Sequence, residues 1–222
     1  MLDAARVAIY RIAEVGSAAA VPSLGKAVDN ENNIVRLAAV TALGKAQDKR
    51  AGEFLIKALR DDDEFVRSVA ADGLATVADE RTVEPLLTAL EDESFQTRTK
   101  VIVALGNVGD KRATEALIDI FEKKKTSGRY GIRAYVAEAL GKIGDKRAAE
   151  PLTKFLREEW YPVYIEKKRF DEHPKGKVHN ITRFGEHKEL SQVVVQALQR
   201  LSILPPQALG DDEILRSLNI ME

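Results

Sequence analysis

The sequence contains no cysteine. That excludes disulfides, thiolate metal sites, iron–sulfur clusters and a cysteine nucleophile of its own. Aromatic residues are scarce at 6%, with a single tryptophan. Net charge is almost absent: 34 basic residues face 35 acidic ones, leaving −1. Such a balance gives no argument for a nucleic-acid clamp or for a membrane surface as partner. No apolar run approaches the roughly 20 residues that a bilayer-spanning helix needs. The stretch Val7–Ala20 is interrupted by Arg11 and Glu14 and makes a poor signal peptide. We therefore expect a cytoplasmic protein with no membrane partner. What the chain does have is alanine, leucine and length: 222 residues, 45% hydrophobic and 31% charged. That is enough for one large domain or two small ones, and the composition favours helices.

The chain repeats itself. Segments starting at Ile34, Phe65, Gln96 and Gly131 align at spacings of 31, 31 and 35 residues. Arg36, Arg67, Arg98 and Arg133 fall in one column, and Leu43, Leu74, Leu105 and Leu140 in a second. A third holds Leu55, Leu86, Leu117 and Leu152. Asp48, Asp79, Asp110 and Asp145 are each followed two residues later by Arg50, Arg81, Arg112 or Arg147. Each unit reads as two helices, because apolar and small residues recur at helical spacing in both halves. Gly-x-x-Gly or Gly-x-x-x-Asp after the first leucine ends the first helix. Pro85 and Pro151 lie four residues beyond the turn arginine. Proline is tolerated only in a first turn, so the second helix starts near that arginine. Glu53, Glu84, Glu115 and Glu150 sit in the same turn, where a carboxylate suits the positive end of the helix dipole. An acidic stretch such as Asp61–Asp63 closes the unit and offers caps for the next helix.

The pattern VR..A..ALG…D.RA..PL…L resembles the HEAT-like repeats first associated with phycobilisome lyases, over roughly residues 5–157. The resemblance implies an all-α superhelix of five to six helical pairs, with second helices on a concave face. It also implies that the turn Asp and Arg residues interlink neighbouring repeats as a structural ladder. On this reading, residues 1–222 form a single repeat domain, with repeats at about 3–30, 33–61, 64–92, 95–125 and 130–158. At 8–10 Å per layer, such a stack spans roughly 50 Å.

The pattern breaks twice. Four extra residues fall in Glu122–Tyr130, where Lys123, Lys124, Lys125 and Arg129 form a basic cluster that reads either as a solvated helix end or as a contact for a phosphate or an acidic partner. After Leu156 the repeat gives way to a segment holding all three histidines, the tryptophan and four further aromatics. Two β-like runs, Val163–Phe170 and Lys177–Phe184, flank a turn-rich stretch. They predict a β-hairpin insertion over 160–185, either capping the last repeat or recognising a partner. Trp160, Tyr161, Tyr164, Phe170 and Phe184 are its candidate anchors. Residues 186–222 then read as capping helices, one built on Leu190, Val193, Val194, Ala197, Leu198 and Leu201, the other over Asp211–Asn219.

Little chemistry is written here. There is no phosphate loop and no His-Glu-x-x-His. His173, His179 and His187, with Glu186 or Asp171, match no metal-site spacing, and no cofactor is expected. The sequon at Asn180 is read as coincidence. HEAT-like iron hydroxylases carry His-Glu dyads in their first helices; the matching positions hold Ala134 and Tyr135. HEAT-like DNA glycosylases need a basic concave face, whereas the columns Lys57, Thr88, Asp119, Lys154 and Arg60, Glu91, Glu122, Arg157 mix signs. We therefore expect a non-catalytic scaffold or adaptor that binds another protein along those second-helix residues or at the hairpin. The alternative is a bilin lyase or lyase-chaperone subunit, in which the phycobiliprotein brings the thiol. An exposed terminal repeat also offers a face for homo- or hetero-oligomers.

Overall fold

The computed structural model describes residues 18–77, 79–123, 131–172, 181–204 and 210–220. The chain forms two compact units, Met1–Ala113 and Thr114–Glu222.

In the first unit, a 3₁₀ turn leads into α1 (Val21–Ala27), followed by α2 (Asn33–Lys45), α3 (Ala51–Ala58), α4 (Glu64–Val77), α5 (Val83–Ala89) and α6 (Phe95–Val108). The caps follow from the sequence. Asn32 and Ser94 accept backbone N–H groups at the starts of α2 and α6, and Asp63 does so at α4. Gly109 closes α6 at φ 73°, a left-handed conformation that glycine adopts without a Cβ penalty. Second helices begin beside the turn arginines, with Pro85 in the first turn of α5.

First helices stack on first helices, α2 on α4 and α4 on α6. A Cβ on Gly44 would lie 3.0 Å from the Gly73 Cα, so these two glycines let α2 and α4 nearly touch. Across the same seam the Thr76 hydroxyl donates to the Gly44 carbonyl at 3.0 Å, and across the next one, between α4 and α6, Asn107 donates to Ala75 at 3.3 Å. Leu43, Leu74, Leu105, Leu55 and Leu86 are all 0–1% exposed. Each contributes about 2 kcal/mol of apolar burial, so the leucine columns form the core.

The second unit holds α7 (Thr114–Glu122), α8 (Gly131–Ile143), α9 (Ala149–Phe155), α10 (Tyr161–Glu172), α11 (Ile181–Arg200) and α12 (Asp211–Ser217). α11 packs along α8 as a further first helix would. Their backbones meet at Gly141, where a Cβ would stand 2.8 Å from the Ala197 Cα.

The expected β-hairpin over 160–185 is absent. Residues 161–172 and 181–200 are helical, and no strand occurs among the described residues. The second helix of the last repeat does not stop: α9 runs through a π turn, Leu156–Trp160, straight into α10. The Tyr161 N–H bonds to the Leu156 carbonyl, five residues back. That wide turn gives Pro162, which has no N–H and a bulky ring, room to stay inside a continuing helix. The β-branched and aromatic residues that suggest a strand follow a helical period instead. Trp160 and Val163 are buried, and Tyr164, Lys167 and Lys168 are half-buried one turn on. Part of the expected loop, with His173 and His179, lies outside the described residues, as do Lys124, Lys125 and Arg129 of the basic cluster.

Candidate functional site

In the first unit the second helices are separated by grooves. One, of about 660 Å³, is lined by Asp29, Glu53, Ile56, Lys57 and Arg60. The next, of about 220 Å³, is lined by Ile56, Leu59, Arg60, Pro85, Thr88 and Glu91. Arg60 and Ile56 line both grooves. Arg60 is exposed and makes no ion pair among the described residues. Its neighbours are already committed: Lys57 pairs with Asp29 at 2.5 Å, and the Thr88 hydroxyl donates to the Glu84 carbonyl at 3.1 Å. Glu91 is exposed and carries no ion pair among the described residues.

In the second unit, Lys154 lies 3.7 Å from Glu122, and Arg157 lies 3.9 Å from Glu150. Both are long, exposed contacts of small energetic weight. Asp119 is exposed. Trp160 is 2% exposed and packs inside the unit, 5.6 Å from the Tyr164 ring. The Tyr164 hydroxyl donates to Asp212 at 2.7 Å, and Lys168 joins the same carboxylate at 2.9 Å. Burial, together with that carboxylate, pushes the Tyr164 phenol up to about 12. These contacts tie α12 to α10, so Trp160 and Tyr164 serve the interior of the unit rather than an exposed arm. Phe170 lies on α10 and Phe184 on α11, with their side chains outside the described residues.

The turn pairs are local first. Arg50, Arg81, Arg112 and Arg147 reach Asp48, Asp79, Asp110 and Asp145 at 2.6, 2.6, 2.8 and 2.6 Å. Each Asp also accepts its arginine's backbone N–H. The arginine hydrogen bonds hold all four carboxyls below the ordinary carboxylate value, Asp79 and Asp145 down to about 2. Three of the arginines also reach back one repeat. Arg50 donates to the Ala18 carbonyl, Arg112 pairs with Glu84 at 3.1 Å, and Arg147 pairs with Glu115 at 2.7 Å.

The first-helix arginine column forms a second ladder, with a role that its alignment alone did not disclose. Arg36 chelates Asp61 through two 2.8 Å bonds while donating to the carbonyls of Asn30 and Glu31. Arg67 does the same with Asp92 and the carbonyls of Asp61 and Asp62. Each thus bridges the acidic turn before it to the one after. The signal was present in the sequence: an aspartate follows Arg36 and Arg67 by 25 residues, whereas Lys123 stands 25 residues after Arg98. Arg133 has no such acidic turn ahead of it. Its guanidinium lies between the rings of Phe121 and Phe155, at 4.7 and 4.9 Å, and bonds both oxygens of Glu159 on the π turn.

The described residues contain no group of three or more acidic or histidine side chains able to hold a metal. No helix among them is long and apolar enough to cross a membrane. What the geometry defines is a helical-repeat protein whose second-helix surfaces are grooved and charged. The family model for HEAT repeats matches residues 3–75 and 52–129, more than half of the chain, and the PBS lyase HEAT-like repeat matches 132–158. The chain belongs to the HEAT-repeat family. No curated protein matches it. Among solved structures it is similar to a designed armadillo repeat protein, with 17% identity, TM-score 0.54, and 88% of this chain and 92% of that one covered. A computationally designed armadillo repeat protein for modular peptide recognition matches at 15% identity and TM-score 0.50, covering 87% and 92%. The complex of CpcE and CpcF of phycocyanin lyase from Nostoc sp. PCC7120 matches at 19% identity and TM-score 0.45, covering 85% and 88%.

Proposed function

We propose that this protein is a non-catalytic scaffold that holds a segment of another protein across its second helices. The observation that carries this reading is Arg60. It is an exposed guanidinium, without an ion pair among the described residues, shared by two adjacent grooves with apolar floors. A guanidinium so placed presents a planar fork for a carboxylate or carbonyl of a bound chain, and Glu91 offers the opposite charge in the same groove.

The test is affinity capture with mass spectrometry to name the partner, followed by a titration of the purified pair. Arg60→Glu is expected to weaken binding by at least tenfold while leaving the circular-dichroism spectrum intact. Equal binding by wild type and Arg60→Glu removes the second-helix grooves as the site. A bilin lyase subunit would behave differently: incubation with a bilin and an apo-phycobiliprotein would yield a coloured covalent adduct.

A further inference from the structure

We propose that the edge of the first unit formed by its inter-repeat turns is a separate docking surface, shaped for a basic amphipathic helix of a partner protein. The first observation is where apolar side chains are left in water. Ile34 is 41% exposed, Phe65 57% and Phe95 42%. Each sits in the first turn of a first helix, α2, α4 and α6 respectively. Helix side chains tilt toward the N-terminus, so first-turn residues project at the turn edge and not into the layer between helices. Because α2 packs on α4 and α4 on α6, the three first turns follow one another at steps of about 8–10 Å, with Ile34 and Phe65 at the same helix position and Phe95 one residue earlier. Large apolar groups lined up in water mark recognition surfaces more often than solitary ones do.

The second observation is the charge around that row. Residues 29–33, 61–64 and 91–94, the three turns of this edge, contain no lysine or arginine. Arg36 and Arg67 lie behind the turns, their side chains only 13% and 9% exposed. Asp62 and Glu93 touch those arginines, yet their own side chains remain 89% exposed. Arg98 lies over the Phe95 ring at 5.9 Å and Arg60 is exposed beside the second turn, so carboxylates dominate this edge without being its sole charge. A depression of about 540 Å³ between the first two turns is lined by Glu31, Ile34, Asp62 and Asp63.

The spacing selects the occupant. Seven residues of α-helix advance about 10.5 Å, so apolar residues at i, i+7 and i+14 meet the row in register, with basic residues on both flanks. An extended segment does not fit. Its residues three apart cover about 10 Å but point to opposite faces, and those two or four apart give about 7 or 13 Å. This surface borders the first second-helix groove, which Glu31 and Asp62 also line, while Ile34, Phe65 and Phe95 lie outside both grooves that Arg60 lines.

The experiment is fluorescence anisotropy of the full chain with a labelled synthetic helix of about 20 residues, carrying leucine at i, i+7 and i+14 among lysines and arginines. A scrambled peptide of the same composition is the control. Wild type is expected to bind the patterned peptide at least tenfold more tightly than the scrambled one. Ile34→Ser/Phe65→Ser/Phe95→Ser should abolish that preference. Glu31→Gln/Asp62→Asn/Glu93→Gln should weaken binding and flatten its dependence on salt. Equal binding of both peptides by wild type, or retention of the preference by the serine variant, overturns the proposal. So does sedimentation showing a wild-type dimer that the serine variant converts to monomer, since a second copy would then cover the row. Loss of the patterned-peptide preference with the Arg60→Glu effect on the captured partner intact separates failure here from failure of the groove reading.

Discussion

Arg67 in the first unit and Arg133 in the second occupy the same column of the repeat and solve different problems. Arg67 meets an acidic turn: Asp92 chelates it at 2.7 and 3.2 Å, and two carbonyls of the preceding turn complete its donors. Arg133 meets a helix that does not end. It is held by two aromatic faces and by Glu159, a carboxylate brought round by the π turn. At both positions the guanidinium is neutralised, but by different groups. Where the acidic turn is lost, cation–π contact and a carboxylate from the continuing helix replace it.

The comparison breaks most sharply on removal of the cation. Arg67→Ala leaves Asp92, whose side chain is 8% exposed, buried without its partner, and should cost about 3 kcal/mol. Arg133→Ala should cost less, about 2 kcal/mol, because the Glu159 side chain is 20% exposed and regains water more easily. Urea unfolding followed by circular dichroism checks the order. A larger loss at Arg133 would mean that the two rings, not the carboxylate, dominate there.

The glycine seams give the next contrast. Gly141→Ala drives a Cβ to 2.8 Å from the backbone of α11 and should destabilise by about 2 kcal/mol. Gly44→Ala places it at 3.0 Å from Gly73, which has no side chain of its own, and the gain in helix propensity offsets much of the strain. Its net cost should stay below about 1 kcal/mol, read from the same unfolding curves.

The smallest effect lies in acid, where the two units should behave alike. Asp79 and Asp145 have folded values of about 2, below the ordinary 3.8. A lowered carboxyl stabilises the fold above its unfolded value and loses that stabilisation as pH falls through the folded one. Thermal stability should decline between about pH 4 and pH 2, and Asp79→Asn or Asp145→Asn should shallow that decline. Carboxyl titration by NMR that placed either group near 4 would contradict the turn geometry.

Much of the fold was legible because repetition multiplies weak signals. One leucine at helical spacing says little; four in register, each later found 0–1% exposed, define a core column. The same holds for the Asp-x-Arg turns, the first-turn prolines and the glycine that closes α6. The segment after Leu156 occurs once, so only local propensity was available to read it. Val163, Tyr164 and Ile165 suggest a strand on propensity, yet packing of Trp160 and Val163 into the unit selects a helix. The second-helix charges were legible as residues but not as partners. Nothing local distinguishes Lys57, held by Asp29, from Arg60, three residues on and without an ion pair among the described residues.

By itself, then, the sequence determined the helical-repeat class, the places where the helices before Leu156 start and stop, and the absence of cysteine chemistry. These follow from short-range rules and from columns repeated along the chain. Only the tertiary structure decided which charges cancel, that Trp160 is interior, and that Ile34, Phe65 and Phe95 stand in water. Each of those depends on which residues from distant parts of the chain come within a few ångströms, and no local pattern encodes that distance.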